Sequence, residues 1–193
     1  MHSESKFITF ESSLNKDEIK AIRAWLGVWY ESICNYQRMG EVGNTYIDNL
    51  RCTVAEIENN FSAALSKAVS CQCTVYRGIS DRFLCPNRQK YIRQLLHGSE
   101  IFLLDSHASA SIFREIGESF TYTAPDDDER TLSVLLEVSS ITGKYLKPFQ
   151  HAARDEGEVV LLRGSKYRRI SAERQMDPKD NLEYWIMQVE EII

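Results

Sequence analysis

The first third of the chain carries the hydrophobic spacing of amphipathic helices. Apolar side chains recur at intervals of three and four over residues 19–36, and Asn15 with Glu18 makes a capping-box pattern just before them. This spacing predicts one helix that ends at Gly40. A second apolar stripe predicts another helix over residues 45–69.

Beyond this part the pattern changes to short strand-like runs. Strands are predicted over six runs rich in apolar and β-branched residues: 72–76, 101–104, 132–138, 158–162, 166–170 and 183–193. The run 158–162 is apolar on both faces, which is typical of a central strand. Pro86 and Gly98 frame a helix over 87–96, and residues 111–120 predict one short helix.

This order of elements favours an α+β fold over a doubly wound α/β sheet, because the strands are many and short while the helices fall mainly in the first half. A length of 193 residues fits one domain over 1–193, with a helical part over 1–70 and a β-rich part over 71–193. The net charge of -5 argues against a dominant nucleic-acid-binding surface.

The cysteines are odd in number, five, and no pair has the C-x-x-C spacing of a zinc site. We expect reduced thiols in a cytoplasmic protein. The N-terminus lacks the apolar core of a signal peptide, and no run approaches the roughly 20 apolar residues of a membrane span. We therefore expect a protein of the cytoplasm, or one delivered into the cytosol of a host cell.

Three polar motifs stand beside strand-like runs. They are Tyr76-Arg77-Gly78, then Ser109-Ala110-Ser111, then Glu156-Gly157-Glu158 leading into four apolar residues. Each motif alone is weak, because an Arg-Gly step is usually a turn and a Glu-x-Glu step is usually a solvated strand edge. Their order and spacing make them informative together.

Metal chemistry has little support in the sequence. His97, His107 and His151 have no neighbours at ligand spacing, so we expect them to be structural or exposed. The acidic run over 126–129 is typical of a solvated loop. No metal site is predicted.

In their order, the three motifs resemble the mono-ADP-ribosyltransferases of the Arg/Ser-x-Ser/Glu-x-Glu group, which includes bacterial toxins and T-even phage enzymes. Ala110 replaces the central threonine of the family's serine motif, and Phe120 stands where the family often keeps an aromatic residue. Residues 143–146 and Tyr167-Arg168 also follow the family's C-terminal pattern. The resemblance implies two packed β-sheets forming an NAD cleft, with a helical N-terminal region on one side.

The resemblance also implies a division of labour between the two glutamates. Nicotinamide leaves NAD as a neutral group, so the charge that develops is positive and lies on the ribose. Glu158 would stabilise that charge, and Glu156 would orient the acceptor and accept its proton. In this family a glutamate at that position accompanies arginine acceptors. Arg77 would contact the phosphate or ribose of NAD.

The remaining implied residues bind NAD. Gly78 would let the backbone approach the nicotinamide amide, Ser109 would hydrogen-bond Glu158, and Ser111 would complete the serine motif. Phe120 would stack on nicotinamide. NAD is expected as the co-substrate, with no metal.

The implied function is transfer of ADP-ribose from NAD to a protein acceptor, preferentially arginine, with release of nicotinamide. Residues 150–155 would recognise the acceptor, and either Arg114 or Arg130 could serve the phosphates. The alternatives are NAD hydrolysis, modification of RNA or another side chain, and a non-catalytic module that binds NAD or a partner. A further alternative is an interaction protein that docks through an exposed face bearing Trp25 and Trp29.

Overall fold

The computed structural model describes residue 10 and residues 12–80, 86–121, 132–146, 156–176 and 183–193. In chain order its elements are α1 (Lys16–Trp25), α2 (Tyr30–Met39), β1 (Tyr46–Ile47), β2 (Cys52–Thr53), α3 (Val54–Lys67), β3 (Cys73–Ser80), α4 (Pro86–His97), β4 (Ile101–Leu103), β5 (Ala108–Ser111), α5 (Arg114–Ser119), β6 (Ser133–Ser140), β7 (Lys144–Tyr145), β8 (Glu158–Leu161), β9 (Lys166–Met176) and β10 (Glu183–Ile192). A 3-10 turn, Gly40–Gly43, follows α2. The predicted α+β class is confirmed.

The chain forms two compact units, each assembled from three separate stretches. Unit 1 comprises Met1–Cys71, Leu104–Ala108 and Thr142–Gly164. Unit 2 comprises Gln72–Leu103, Ser109–Ile141 and Ser165–Ile193.

Two helices of unit 1 begin at capping boxes. The Asn15 side chain accepts hydrogen bonds from the backbone N–H groups of Asp17 and Glu18, and the Glu18 carboxylate accepts from the Asn15 N–H at 2.8 Å. Thr53 and Glu56 make the same exchange at the start of α3. These caps satisfy N–H groups that have no partner within the helix.

The predicted helices of unit 1 are shorter than their apolar stripes. The single helix expected over 19–36 is wrong, because α1 ends at Trp25 and a turn containing Gly27 separates it from α2. Glycine disfavours the helix interior, and the stripe continues across the break because both helices pack on one core. The helix expected over 45–69 is also wrong at its start, since the β1–β2 hairpin occupies residues 46–53.

The core of unit 1 joins its first and third stretches. Fully buried side chains of the helices, including Trp25 and Phe61, pack with Leu146 and Val160. Strand β8 pairs antiparallel with β7 and is buried at all four positions. Burial on both faces is what the apolar run in the sequence predicts.

Unit 2 is built around a mixed sheet with the strand order β4-β9-β10-β6-β3-β5. β10 runs parallel to β6, and the other neighbours in this series are antiparallel. Arg77 and Gly78 lie inside β3, opposite Leu136 and Leu135 of β6. The prediction that the strand ends at these two residues is therefore wrong, because pairing with β6 continues to Ser80.

The cysteines do not all match the predicted reduced state. Cys34 and Cys52 are reduced thiols, whereas Cys71 and Cys73 are disulfide-bonded. Within the described ranges, no helix has the length and apolar character that crossing a membrane requires.

Candidate active site

The predicted site residues divide between the two units. Unit 2 contains the first five: Arg77, Gly78, Ser109, Ser111 and Phe120. Unit 1 contains Glu156 and Glu158.

The arginine and serine motifs meet within unit 2. β3 and β5 are paired antiparallel at Tyr76 and Ser111, and Arg77 Nη1 donates a hydrogen bond to the Ser109 carbonyl oxygen at 2.5 Å. A guanidinium group presents five donors in a rigid plane, so this bond sets the direction of the others. Arg77 is therefore held in a fixed orientation against the backbone of the second motif.

Gly78 is required by packing. A Cβ added at Gly78 would lie 2.1 Å from the Gly117 carbonyl oxygen and 2.8 Å from Phe120 Cβ. A Cβ at Gly117 would in turn lie 2.7 Å from Tyr76 Cβ. The two glycines let α5 sit directly on β3, which brings Phe120, 58% exposed, beside Gly78. Gly78 thus has a packing role, and its approach to the nicotinamide amide stays a prediction.

The serine motif connects β5 to α5. Ser111 is buried, and its Oγ accepts a hydrogen bond from the Phe113 N–H at 2.9 Å. This bond turns the chain toward α5, so Ser111 has a structural role in addition to any contact with NAD. Ala110 is also buried, where a threonine hydroxyl would need a hydrogen-bond partner.

Glu158 begins β8 and is only 7% exposed. Its Oε1 accepts a hydrogen bond from Trp25 Nε1–H at 3.2 Å. Gly157 has a φ of +58°, a conformation that favours glycine, so the centre of the motif turns the chain into β8. Glu156 is half-buried, whereas Glu158 is enclosed.

Trp25 is a site residue that the sequence pattern did not reveal. Trp25 fills the core, stacking on Phe61 with ring centroids 4.6 Å apart and an interplanar angle of 18°. Trp25 also donates the hydrogen bond to Glu158. The sequence could have indicated such a bond only through chemistry, because a buried tryptophan still needs an acceptor for its N–H.

Comparison with known proteins gives structural matches only. No family model matches the sequence, and no curated protein matches it. The Vis toxin of Vibrio splendidus, an ADP-ribosyltransferase, superimposes with a TM-score of 0.67 at 18% identity, covering 95% of this chain and 76% of that one. Plx2a, an ADP-ribosyltransferase toxin of Paenibacillus larvae, gives 0.65 at 16%, covering 98% and 92%.

A third match is BECa, an ADP-ribosylating toxin of C. perfringens, with a TM-score of 0.67 at 17% identity. The match covers 98% of this chain and 46% of BECa. The fold is that of ADP-ribosyltransferase toxins. At these identities the likeness concerns the fold.

Arg114, one of two arginines suggested for the NAD phosphates, is bound to carboxylates in this ADP-ribosyltransferase fold. Its Nε donates to Glu118 at 2.7 Å and its Nη1 to Glu137 at 2.5 Å. The hydrogen bond to Glu118 is the main cause that raises the pKa of Arg114. These bonds tie α5 to β6, so Arg114 has a structural role. Arg130 lies outside the described residues.

His107 is a structural residue in unit 1. Burial lowers its pKa to about 4, so the ring is neutral near pH 7. The ring Nδ1 accepts a hydrogen bond from the Arg163 backbone N–H at 2.9 Å, and the His107 backbone N–H donates to Gln37 Oε1 at 2.7 Å. His97 is exposed, and His151 lies outside the described residues.

Within the described part of the chain, no three His, Cys, Asp or Glu side chains are grouped so that they could hold a metal ion. The acidic run over 126–129 lies outside the described residues.

Proposed function

We propose that the protein is an NAD-dependent mono-ADP-ribosyltransferase that modifies arginine on a protein acceptor and releases nicotinamide. The observation that carries this proposal is Glu158, a carboxylate enclosed at the start of β8 and bonded to an indole N–H, in a chain with this fold. Two similar structures add chemical support. Vis was solved in complex with agmatine, which shares its guanidinium group with arginine, and BECa with NADH.

The proposed chemistry at Glu158 is electrostatic. When the bond between ribose and nicotinamide breaks, the electron pair leaves with the neutral nicotinamide and positive charge remains on the ribose. A carboxylate fixed beside that ribose stabilises the charge and accepts a hydrogen bond from the 2′-hydroxyl. Burial strengthens the effect, since low local polarity screens charge less than water does.

Glu156 would orient the acceptor arginine and accept its proton. An arginine guanidinium has a pKa above about 12, so it is a poor nucleophile until a base orients it and accepts its proton. Glu156 is half-buried and therefore retains access to an incoming side chain. Arg77 and Ser109 would bind NAD, and the exposed ring of Phe120 would stack on nicotinamide.

The proposal is tested first by nicotinamide release from NAD. Wild-type protein should release nicotinamide, and Glu158→Gln should lose nearly all of this activity while keeping the wild-type melting temperature. Labelled NAD incubated with host-cell lysate, followed by mass spectrometry, then identifies the modified residue. A folded wild-type protein that releases no nicotinamide at any concentration contradicts the proposal and favours a non-catalytic binding module.

The arginine acceptor is tested separately at the first glutamate. Glu156→Gln should reduce transfer to agmatine by about 100-fold, the usual size of a general-base contribution, while NAD hydrolysis changes little. Equal loss of transfer and hydrolysis would contradict the division between the two glutamates. Hydrolysis without any transfer by wild type would favour an NAD glycohydrolase.

The docking alternative required an exposed face bearing Trp25 and Trp29. Trp25 is 2% exposed and belongs to the core of unit 1, and Trp29 is half-buried against it. That interpretation is wrong for Trp25, because its apolar stripe is covered by α3 and β8.

A further inference from the structure

We propose that Trp25 is a positioning residue for Glu158, an inference that rests on the proposed function. The two residues are 133 positions apart in sequence, yet Trp25 Nε1–H donates to Glu158 Oε1 at 3.2 Å within unit 1. Both side chains are buried. The indole thereby limits the orientations that the Glu158 carboxylate can take.

The indole is itself rigidly held. One face stacks on Phe61, and Tyr30 makes an edge contact with a centroid distance of 4.6 Å. His107 makes a second edge contact at 6.1 Å. Because these contacts prevent the ring from turning, the direction of its N–H is fixed. The hydrogen bond from this N–H then orients the Glu158 carboxylate.

The hydrogen bond from Trp25 to Glu158 contributes more than packing. A hydrogen bond to a charged group in a buried site is stronger than one between neutral groups. Catalysis by Glu158 depends on where its charge lies relative to the ribose, so an orienting bond acts mainly in the transition state. Loss of that bond should therefore lower kcat more than it raises KM for NAD.

The decisive variant is Trp25→Phe, which removes the N–H and keeps an aromatic ring against Phe61. We expect kcat for nicotinamide release to fall on the order of tenfold, with KM for NAD within about twofold. Trp29→Phe is the matched control, since Trp29 lies in the turn between α1 and α2. It should keep wild-type kinetics. If the two variants have the same kcat, the positioning role is overturned and the proposed function stands.

A second readout does not depend on activity. The chain has three tryptophans, so the spectra of Trp29→Phe and Trp185→Phe identify the Trp25 indole N–H signal by elimination in a ¹H–¹⁵N NMR spectrum. Glu158→Gln replaces the charged acceptor with a neutral one, so the Trp25 signal should move upfield while the Trp29 signal stays in place.

An unmoved Trp25 signal in folded Glu158→Gln would overturn the inference, even where Trp25→Phe is unstable. A folded wild-type protein without nicotinamide release would overturn the proposed function, and the catalytic role of Trp25 with it. The NMR result separates these two failures, because it reports the bond alone.

Discussion

His107 should make the stability of the protein depend on pH. Burial lowers its pKa to about 4, while in the unfolded chain the value is 6.5. Nearby Glu58 opposes this shift and Arg163 adds to it, both less strongly than burial. Between these two values the unfolded chain binds a proton that the folded protein does not bind, so stability falls as the pH falls.

The size of the effect follows from the two pKa values. From about pH 7.5 to about pH 5, proton linkage at His107 alone should remove about 2 kcal/mol from the free energy of unfolding. Below about pH 4 the folded protein also binds the proton, and this contribution stops changing. His107→Asn removes the titration, and Asn Oδ1 can replace Nδ1 as the acceptor for the Arg163 N–H.

The assay is urea denaturation of both proteins at the two pH values. Wild type should lose about 2 kcal/mol more than His107→Asn between them. His97→Asn is the matched control, because His97 is exposed, and it should follow wild type. Equal pH dependence in wild type and His107→Asn would refute the reasoning.

Two further predictions concern stability. Lys67→Met removes the charged partner of the Glu18 carboxylate, which also accepts from the Asn15 N–H. Lys67 Nζ contacts the two carboxylate oxygens at 2.7 and 2.8 Å, and this hydrogen bonding lowers the pKa of Glu18. Because the Lys67 side chain is partly exposed, the substitution should cost about 1 to 2 kcal/mol in urea denaturation at neutral pH. A loss below about 0.5 kcal/mol would show that Glu18 finds another partner. Gly78→Ala should cost about 3 kcal/mol, because its Cβ would overlap the Gly117 carbonyl oxygen. Gly40 has a φ of +61° and open space around it, so Gly40→Ala should cost only about 1 kcal/mol. Equal melting temperatures for Gly78→Ala and Gly40→Ala would contradict the packing argument.

Local chemistry made the ends of elements predictable where a side chain itself closes the structure. The capping box at Asn15 and Glu18 is such a case, because its hydrogen bonds lie within four residues. The apolar run that follows Glu158 in β8 was equally informative, since a strand buried on both faces has no position facing water. The break at Gly27 was not predictable from periodicity, because both helices keep the same core-facing stripe.

Residues that depend on long-range pairing were misjudged. Arg77 and Gly78 were placed at a strand end because an Arg-Gly step is typical of turns, and only pairing with β6 shows that the strand continues. The reason for Gly78 also lies in a distant helix, through the Gly117 carbonyl oxygen. The sequence indicated no partner for Trp25, because its acceptor lies 133 residues away.

The assembly of unit 1 from three stretches has a consequence for biosynthesis. The ribosome delivers α1, α2 and α3 before Leu146 and Val160, which complete their core. Meanwhile the apolar faces of these helices are available to chaperones and to aggregation. A split version cut between β6 and β7 would leave its N-terminal piece without these two side chains. These helices are thus fully enclosed only after β8 has been synthesised.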